Sequence, residues 1–223
     1  MEYSQSDKKT EYREVHPRNG LIYRFIKRFF DILFSLTFLL LLGWLILILV
    51  FIKFCEDGHN PIYTSIRVGR NGKLIKFHKI RTMKPNADKL KDQLIAEGKN
   101  EADGPVFKMK NDPRITKVGK VYRKLCFDEF PQVWDILVGR ISIVGPRSPL
   151  PKEVEKYNEY QKHKLDVKGG LLCYWQVQKN RHDMSFDEWV ELDIKYVETR
   201  SLWVDFKILI KGFFSFLFDH TGE

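Results

Sequence analysis

The chain has 223 residues, room for one globular domain with an appendage, and 38 Lys and Arg against 29 Asp and Glu give it a net charge of +9. That excess suits an anionic partner: nucleic acid, anionic lipid or a phosphorylated compound. Three widely spaced cysteines, Cys55, Cys126 and Cys173, exclude a disulfide framework and a zinc cluster and fit a reducing compartment.

Residues 1–20 are polar and aperiodic and read as a loose tail. Residues 32–52, ILFSLTFLLLLGWLILILVFI, carry no charge. As a helix they would reach about 30 Å, the thickness of a bilayer's hydrocarbon core, and the run is too long for a signal-peptide core. The membrane-inserted segment is therefore set at 21–58. Arg24, Lys27 and Arg28 precede the apolar run, Lys53 ends it, and the following domain is rich in Lys and Arg. The positive-inside tendency thus pulls both flanks to the cytoplasm, which a helix that enters and returns on one face satisfies and a simple span does not. Asp31 is expected at headgroup depth, paired with one of the basic residues ahead of it.

The remainder, 59–218, reads as one helix-dominated α+β domain, with 219–223 a tail. Residues 63–83 form two strands around Asn71-Gly72, which supplies the positive φ a tight hairpin needs. A charged helix is expected at 87–97, a short extended piece at VFKMK, and a helix at 116–125. A further helix should start at Asp128 and run to Val138, with Pro131 in its first turn and Gly139 ending it. ISIVGPRSPLP reads as an ordered loop and 152–165 as one helix. Residues 186–198 are amphipathic. Ser201 caps a last helix so aromatic, with Trp203, Phe206, Phe213 and Phe214, that it suits the membrane interface as well as a core.

The chemistry gathers at KLCFDEFPQVWDIL. Asp128 and Glu129 could simply cap a helix start, which contributes about 0.5–2 kcal/mol. Their neighbours point elsewhere: Phe127 and Phe130 flank them, Arg123 lies five residues upstream, and the glycine and proline of VGPR would fix Arg147. Two carboxylates among arginines can handle phosphate, the arginines binding it and the acids holding a divalent cation or attacking phosphorus. His59, His78, His163 and His182 lack metal-ligand spacing, and Cys126 and Cys173 read as small buried hydrophobes. No GxxxxGK[ST] or GxGxxG occurs, and a membrane accounts for the basic excess without nucleic acid.

Six segments in order, KRFFDILFSL, IRVGRNGKLIKFHKIRTM, FDEFPQVWDILVG, ISIVGPRSP, YWQV and SFDEWVELDIKYVETRSLWVDFKILIKG, resemble the bacterial membrane-anchored sugar transferases, the monotopic phosphoglycosyl transferases, over about residues 27–212. The resemblance implies a monotopic protein of the inner membrane: a re-entrant N-terminal helix, a small β-hairpin, and a catalytic domain with interfacial helices on the cytoplasmic face. It implies transfer of a sugar phosphate from a UDP-sugar to undecaprenyl phosphate for polysaccharide or glycoconjugate assembly. Asp128 matches the nucleophile and a ligand of Mg²⁺, and Glu129 its assistant. Arg123 and Arg147, with Arg67, Lys79 and Arg81 of the hairpin and Gln176 of YWQV, match the substrate-binding set. Partners implied are the two substrates and inner-membrane lipid, without nucleic acid; a homodimer is left open. The contrasting expectation is a membrane-tethered scaffold that kept the fold without turnover. Three positions depart from the family pattern. Gly43-Trp44 stands where Ser-Pro usually breaks the helix, Arg140 replaces an acid, and Gly169-Gly170 replaces Pro-Gly.

Overall fold

The computed structural model describes residues 13–101, 104–107, 109, 111–179, 181 and 183–218. The tail at 219–223, the first twelve residues of the N-terminal tail and His182 lie outside the described residues. Leu21–Asp57 form a single helix, α1, of 37 residues. It is long and apolar enough to cross a membrane. Gly58, left-handed at φ 67, donates its N–H to the Phe54 carbonyl and ends the helix. The break expected at Gly43-Trp44 is absent: the helix is continuous there, the Trp44 indole donates to the Leu41 carbonyl at 2.8 Å, and a Cβ at Gly43 would meet open space. Without proline the run keeps every backbone donor its helix needs.

One stripe of α1 nevertheless meets the rest of the protein along its length. Asp31, Ser35, Leu49 and Lys53 are buried, and Phe38 and Leu45 pack between them, a spacing of three to four residues that marks one helix face. At the start of the helix, Lys27 pairs with Asp205 at 2.8 Å, and Arg28 donates to the carbonyls of Ile136 and Leu137. At its end, the fully buried Lys53 bridges Glu56 and Asp57, and Asp57 also pairs with Arg81 at 2.6 Å. Both ends are therefore fastened to one domain. On the far side Leu36, Leu40, Leu47 and Phe51 are exposed. Asp31 is not paired with the cations ahead of it; its carboxylate accepts from Ser142 Oγ at 2.9 Å and Ile143 N at 3.0 Å, and so pins α1 to the domain interior.

The segment at 13–20 is not loose. Val15 is buried, Arg13 pairs with Glu198, and Arg18 N–H donates to the Val197 carbonyl. After α1 come β1 (Ile62–Val68) and β2 (Leu74–Ile80), antiparallel from Ile62 opposite Ile80 to Val68 opposite Leu74. Asn71 at φ 57 and Gly72 at φ 75 make the turn, as their sequence requires. Helix α2 (Ala87–Ala96) is largely exposed, and α3 (Lys117–Lys124) starts at Thr116, whose hydroxyl accepts from Gly119 N. The described residues of VFKMK form no strand.

Beyond lie α4 (Gln132–Leu137), β3 (Ser142–Val144), α5 (Pro151–Val154), α6 (Glu159–Lys162) and β4 (Gly170–Leu172). The loop expected at ISIVGPRSPLP begins as a strand, because β3 pairs in parallel with β4 through Ser142–Gly170 and Val144–Leu172. The pairing is so close that a Cβ on Gly170 would lie 2.0 Å from Gly145 N. The single helix expected at 152–165 is divided: Asn158 caps α6, accepting from Gln161 N, and a 3-10 turn follows at His163–Asp166. Helix α7 (Phe186–Thr199) opens on Ser185 with Glu188 returning to Ser185 N, and α8 (Leu202–Phe218) opens on Ser201. The main core lies where α7, α8 and β3 meet, around Ile136, Ile141, Ile194 and Val197. On α8, Asp205 and Ile208 face it, while Trp203, Phe206, Ile210, Phe213 and Phe214 are exposed.

Candidate active site

Asp128 and Glu129 do not occupy the first turn of a helix. They lie on a 3-10 turn, Phe127–Glu129, ahead of α4, and Cys126 reaches it in a left-handed conformation at φ 54. Cys126 is exposed, not a buried hydrophobe; Cys173 is buried. The tight turn sends its two flanking phenylalanines one way and the two acids between them the other. Phe127 and Phe130 stack edge to face at 5.2 Å, Phe127 meets Tyr122, and Phe130 meets Phe38 of α1 at 5.1 Å. The acids point to the hairpin, where Lys79 Nζ lies 2.8 Å from Glu129 Oε1 and 3.5 Å from Asp128 Oδ2.

Burial separates the two acids. The Asp128 side chain is 9% exposed and that of Glu129 34%. Burial raises the Asp128 pKa, opposed by the charge of Lys79 and reinforced by that of Glu129; Arg123 also opposes it, and the net direction is upward. For Lys79, burial works downward, but the Glu129 and Asp128 charges outweigh it and hold the ammonium form. Arg67 is lowered to about 10 by burial and by the neighbouring Arg147, and stays charged at neutral pH.

The arginines are placed by neighbours that the sequence did not single out. Arg123 donates to Thr82 Oγ1 at 3.0 Å. Arg67 donates to the Ser148 carbonyl at 3.0 Å and lies over the Phe77 ring, while its Nε is buried without an acceptor. Arg147 rests 3.6 Å from Glu153, whose carboxylate also takes the Leu150 N–H. Ser148 Oγ is a second buried group lacking a partner. Unsatisfied buried donors beside charged groups are costly unless a ligand uses them. Only Glu153 had a legible signal, its position three residues into a segment opened by Pro151.

Two expected site residues are occupied elsewhere. Arg81 pairs with Asp57 and donates to the Asn60 carbonyl, so it ties β2 to the end of α1. Gln176 accepts from Cys173 N with its side-chain oxygen and so braces the YWQV turn. His78 meets Asp135 at 2.8 Å and His163 meets Asp166 at 2.7 Å. Arg140 joins the buried Asp135 at 2.7 Å, so this departure from the family pattern forms an ion pair.

Residues 22–219 match the family described as bacterial sugar transferase. The chain belongs to that family. This sugar transferase is 41% identical over 184 residues to the galactosyl transferase CpsE of Streptococcus agalactiae, covering 82% of the chain and 40% of the relative. It is 40% identical over 193 residues to the undecaprenyl-phosphate galactose phosphotransferase of Salmonella typhimurium, covering 84% of the chain and 40% of the relative. Against the exopolysaccharide production protein ExoY of Rhizobium meliloti the identity is 38% over 200 residues, 88% of the chain and 86% of the relative. The sugar transferase thus spans about two fifths of the first two relatives and most of the third.

Proposed function

We propose that this sugar transferase moves a sugar-1-phosphate from a UDP-sugar to undecaprenyl phosphate in two steps at Asp128. The observation that carries this reading is a buried carboxylate, held against Lys79 and neighboured by Arg123, on a turn whose phenylalanines pack on an apolar helix. In the first step Asp128 attacks the β-phosphorus, the bond from that phosphorus to the bridging oxygen breaks, and UMP leaves. The sugar phosphate stays on the carboxylate as an acyl phosphate. An oxygen of undecaprenyl phosphate then attacks the same phosphorus, releases Asp128 and yields the diphosphate-linked sugar. Lys79, Arg123, Arg67 and Arg147 reduce the repulsion between an anionic nucleophile and an anionic substrate. The names of two relatives, an undecaprenyl-phosphate galactose phosphotransferase and a UDP-glucose:undecaprenyl-phosphate glucose-1-phosphate transferase, support the carrier and the sugar phosphate.

Among the described residues no three His, Cys, Asp or Glu converge as a metal cage. Two adjacent carboxylates are enough for Mg²⁺, which is held by one or two carboxylates together with substrate phosphates. Asp128 and Glu129 would hold it, and when bound it would supply further neutralisation of phosphate charge. The membrane arrangement follows from α1: a helix fastened at both ends to one domain keeps that domain and both flanks on one face. The basic flanks support the cytoplasmic face of the inner membrane as that side.

Incubation of the solubilised protein with common UDP-sugars, undecaprenyl phosphate and Mg²⁺ should release UMP. A folded protein that releases none from any of them would be the scaffold instead. In a cysteine-free background, His16→Cys and Lys99→Cys should both resist an impermeant thiol reagent in intact cells. Labelling at residue 16 alone would mean a single span.

A further inference from the structure

Between the start of α1 and the start of α8 lies an open cavity of about 320 Å³ that the chemistry at Asp128 does not use. Its lining is part apolar and part cationic. Ile22, Ile26, Leu202 and Trp203 line it, with Ile22 and Trp203 strongly exposed, and so do Arg18 and Arg200, beside Tyr23 and Ser201. Arg200 is buried, yet it forms no ion pair among the described residues: its donors go to the Arg18 carbonyl and the Asn19 side chain, and its guanidinium faces the Tyr23 ring at 5.7 Å. Arg24 adds a further positive charge nearby, and the one carboxylate acting on Arg200, Asp205, is paired with Lys27 at 2.8 Å. The groove opens between two exposed apolar faces, Phe25 and Phe29 on α1 and Phe206 and Ile210 on α8.

We infer that this groove binds one anionic phospholipid, its phosphate on Arg18 and Arg200 and an acyl chain along Ile22, Ile26, Leu202 and Trp203. A ligand with an apolar body and an anionic end matches such a lining, and an exposed indole within it suits the headgroup boundary. The occupant is not the reaction's acceptor. Ile26 lies twelve residues before Phe38, the α1 residue against the Asp128 turn, which is roughly 18 Å along a helix. A phosphate at Arg200 is out of reach of Asp128, and the lipid instead anchors the junction of α1 and α8.

The test is a titration of the full chain in detergent with dihexanoyl-phosphatidylglycerol and, separately, dihexanoyl-phosphatidylcholine, both below their micelle concentrations. Intrinsic fluorescence is read against Trp203→Phe to isolate the signal from residue 203. Phosphatidylglycerol should bind at least about tenfold more tightly, since two basic groups face its charge. Arg18→Gln, an exposed position, should remove most of that preference, and Arg200→Gln all of it. Inorganic phosphate alone should leave the Trp203 signal unchanged. Equal affinity for the two lipids, a preference that survives both arginine variants, or a response to phosphate equal to that for phosphatidylglycerol would overturn the inference. None of these readings depends on transfer activity, so failure here and failure of the proposed reaction are separate results.

Discussion

Asp128→Asn should abolish sugar phosphate transfer, lowering kcat/KM by about 10⁴-fold or more, while the protein keeps or gains thermal stability at neutral pH. The first half follows from the role of the carboxylate: an amide cannot form the acyl phosphate, and losing a nucleophile removes a whole step. The second half follows from burial. The native Asp128 pKa is raised, so the fold favours the protonated carboxyl. Stability from such a group is fully present below the unfolded pKa of about 4 and is lost as pH rises through the raised native value. A neutral asparagine avoids that loss at pH 7.5. Melting curves of the two proteins should therefore show the variant level or higher at pH 7.5, the gap closing towards pH 4. An active variant would dismiss Asp128 as the nucleophile. A clear drop in melting temperature at pH 7.5 would mean that the ionised carboxylate stabilises the fold through Lys79 and Arg123 more than burial penalises it.

The parts of this protein that could be read from its sequence are those fixed by neighbouring residues. Asn71-Gly72 makes its hairpin because those two residues tolerate positive φ, and Ser185 opens α7 because Glu188 stands three residues on. Asn158 and Gln161 carry the same capping signal and divide the segment at 152–165, a local feature that reading the segment as one helix passes over. The parts that could not be read depend on distant partners. Strands β3 and β4 are three residues each and join segments 28 positions apart, so neither has room for an alternating pattern. Asp31 finds Ser142 and Ile143 across 111 or more positions, where its charged neighbours suggested a local ion pair. Gly43 is followed by Trp44 and not by the proline that breaks a helix, so α1 stays whole and meets the domain by packing one face along its length.

The same division holds at the site. The acids, Arg123 and Arg147 stood out locally, and the resemblance added Arg67 and Lys79. Which cations actually reach the acids was decided by tertiary structure: Lys79 lies in β2 and Arg81 just beyond its end, yet Lys79 lies on the acids while Arg81 is held by Asp57. The aromatic pairs from Tyr122 through Phe127 and Phe130 to Phe38 give these contacts their functional sense. They place the turn against the apolar helix, so the proposed reaction at Asp128 would take place beside the lipid that supplies its acceptor.

Lys79→Met and Glu129→Gln should move the pH dependence of kcat/KM in opposite directions. In the proposed reaction the reacting form of Asp128 is the carboxylate, so the acid limb of the profile should follow its pKa. Removing Lys79 leaves two close carboxylates without the ammonium between them, and burial and mutual repulsion then push the Asp128 pKa further up. The limb should shift to higher pH, with a loss of roughly 10²–10³-fold at pH 7 that is partly recovered under alkaline conditions. Lys79→Arg should restore part of the activity by returning a cation. Glu129→Gln removes a negative charge that raises the same pKa, so its limb should shift to lower pH. The two variants thus separate charge from mere packing at this site. If both limbs move the same way, or neither moves, Asp128 titrates independently of its neighbours and the electrostatic account of the Lys79 bridge fails.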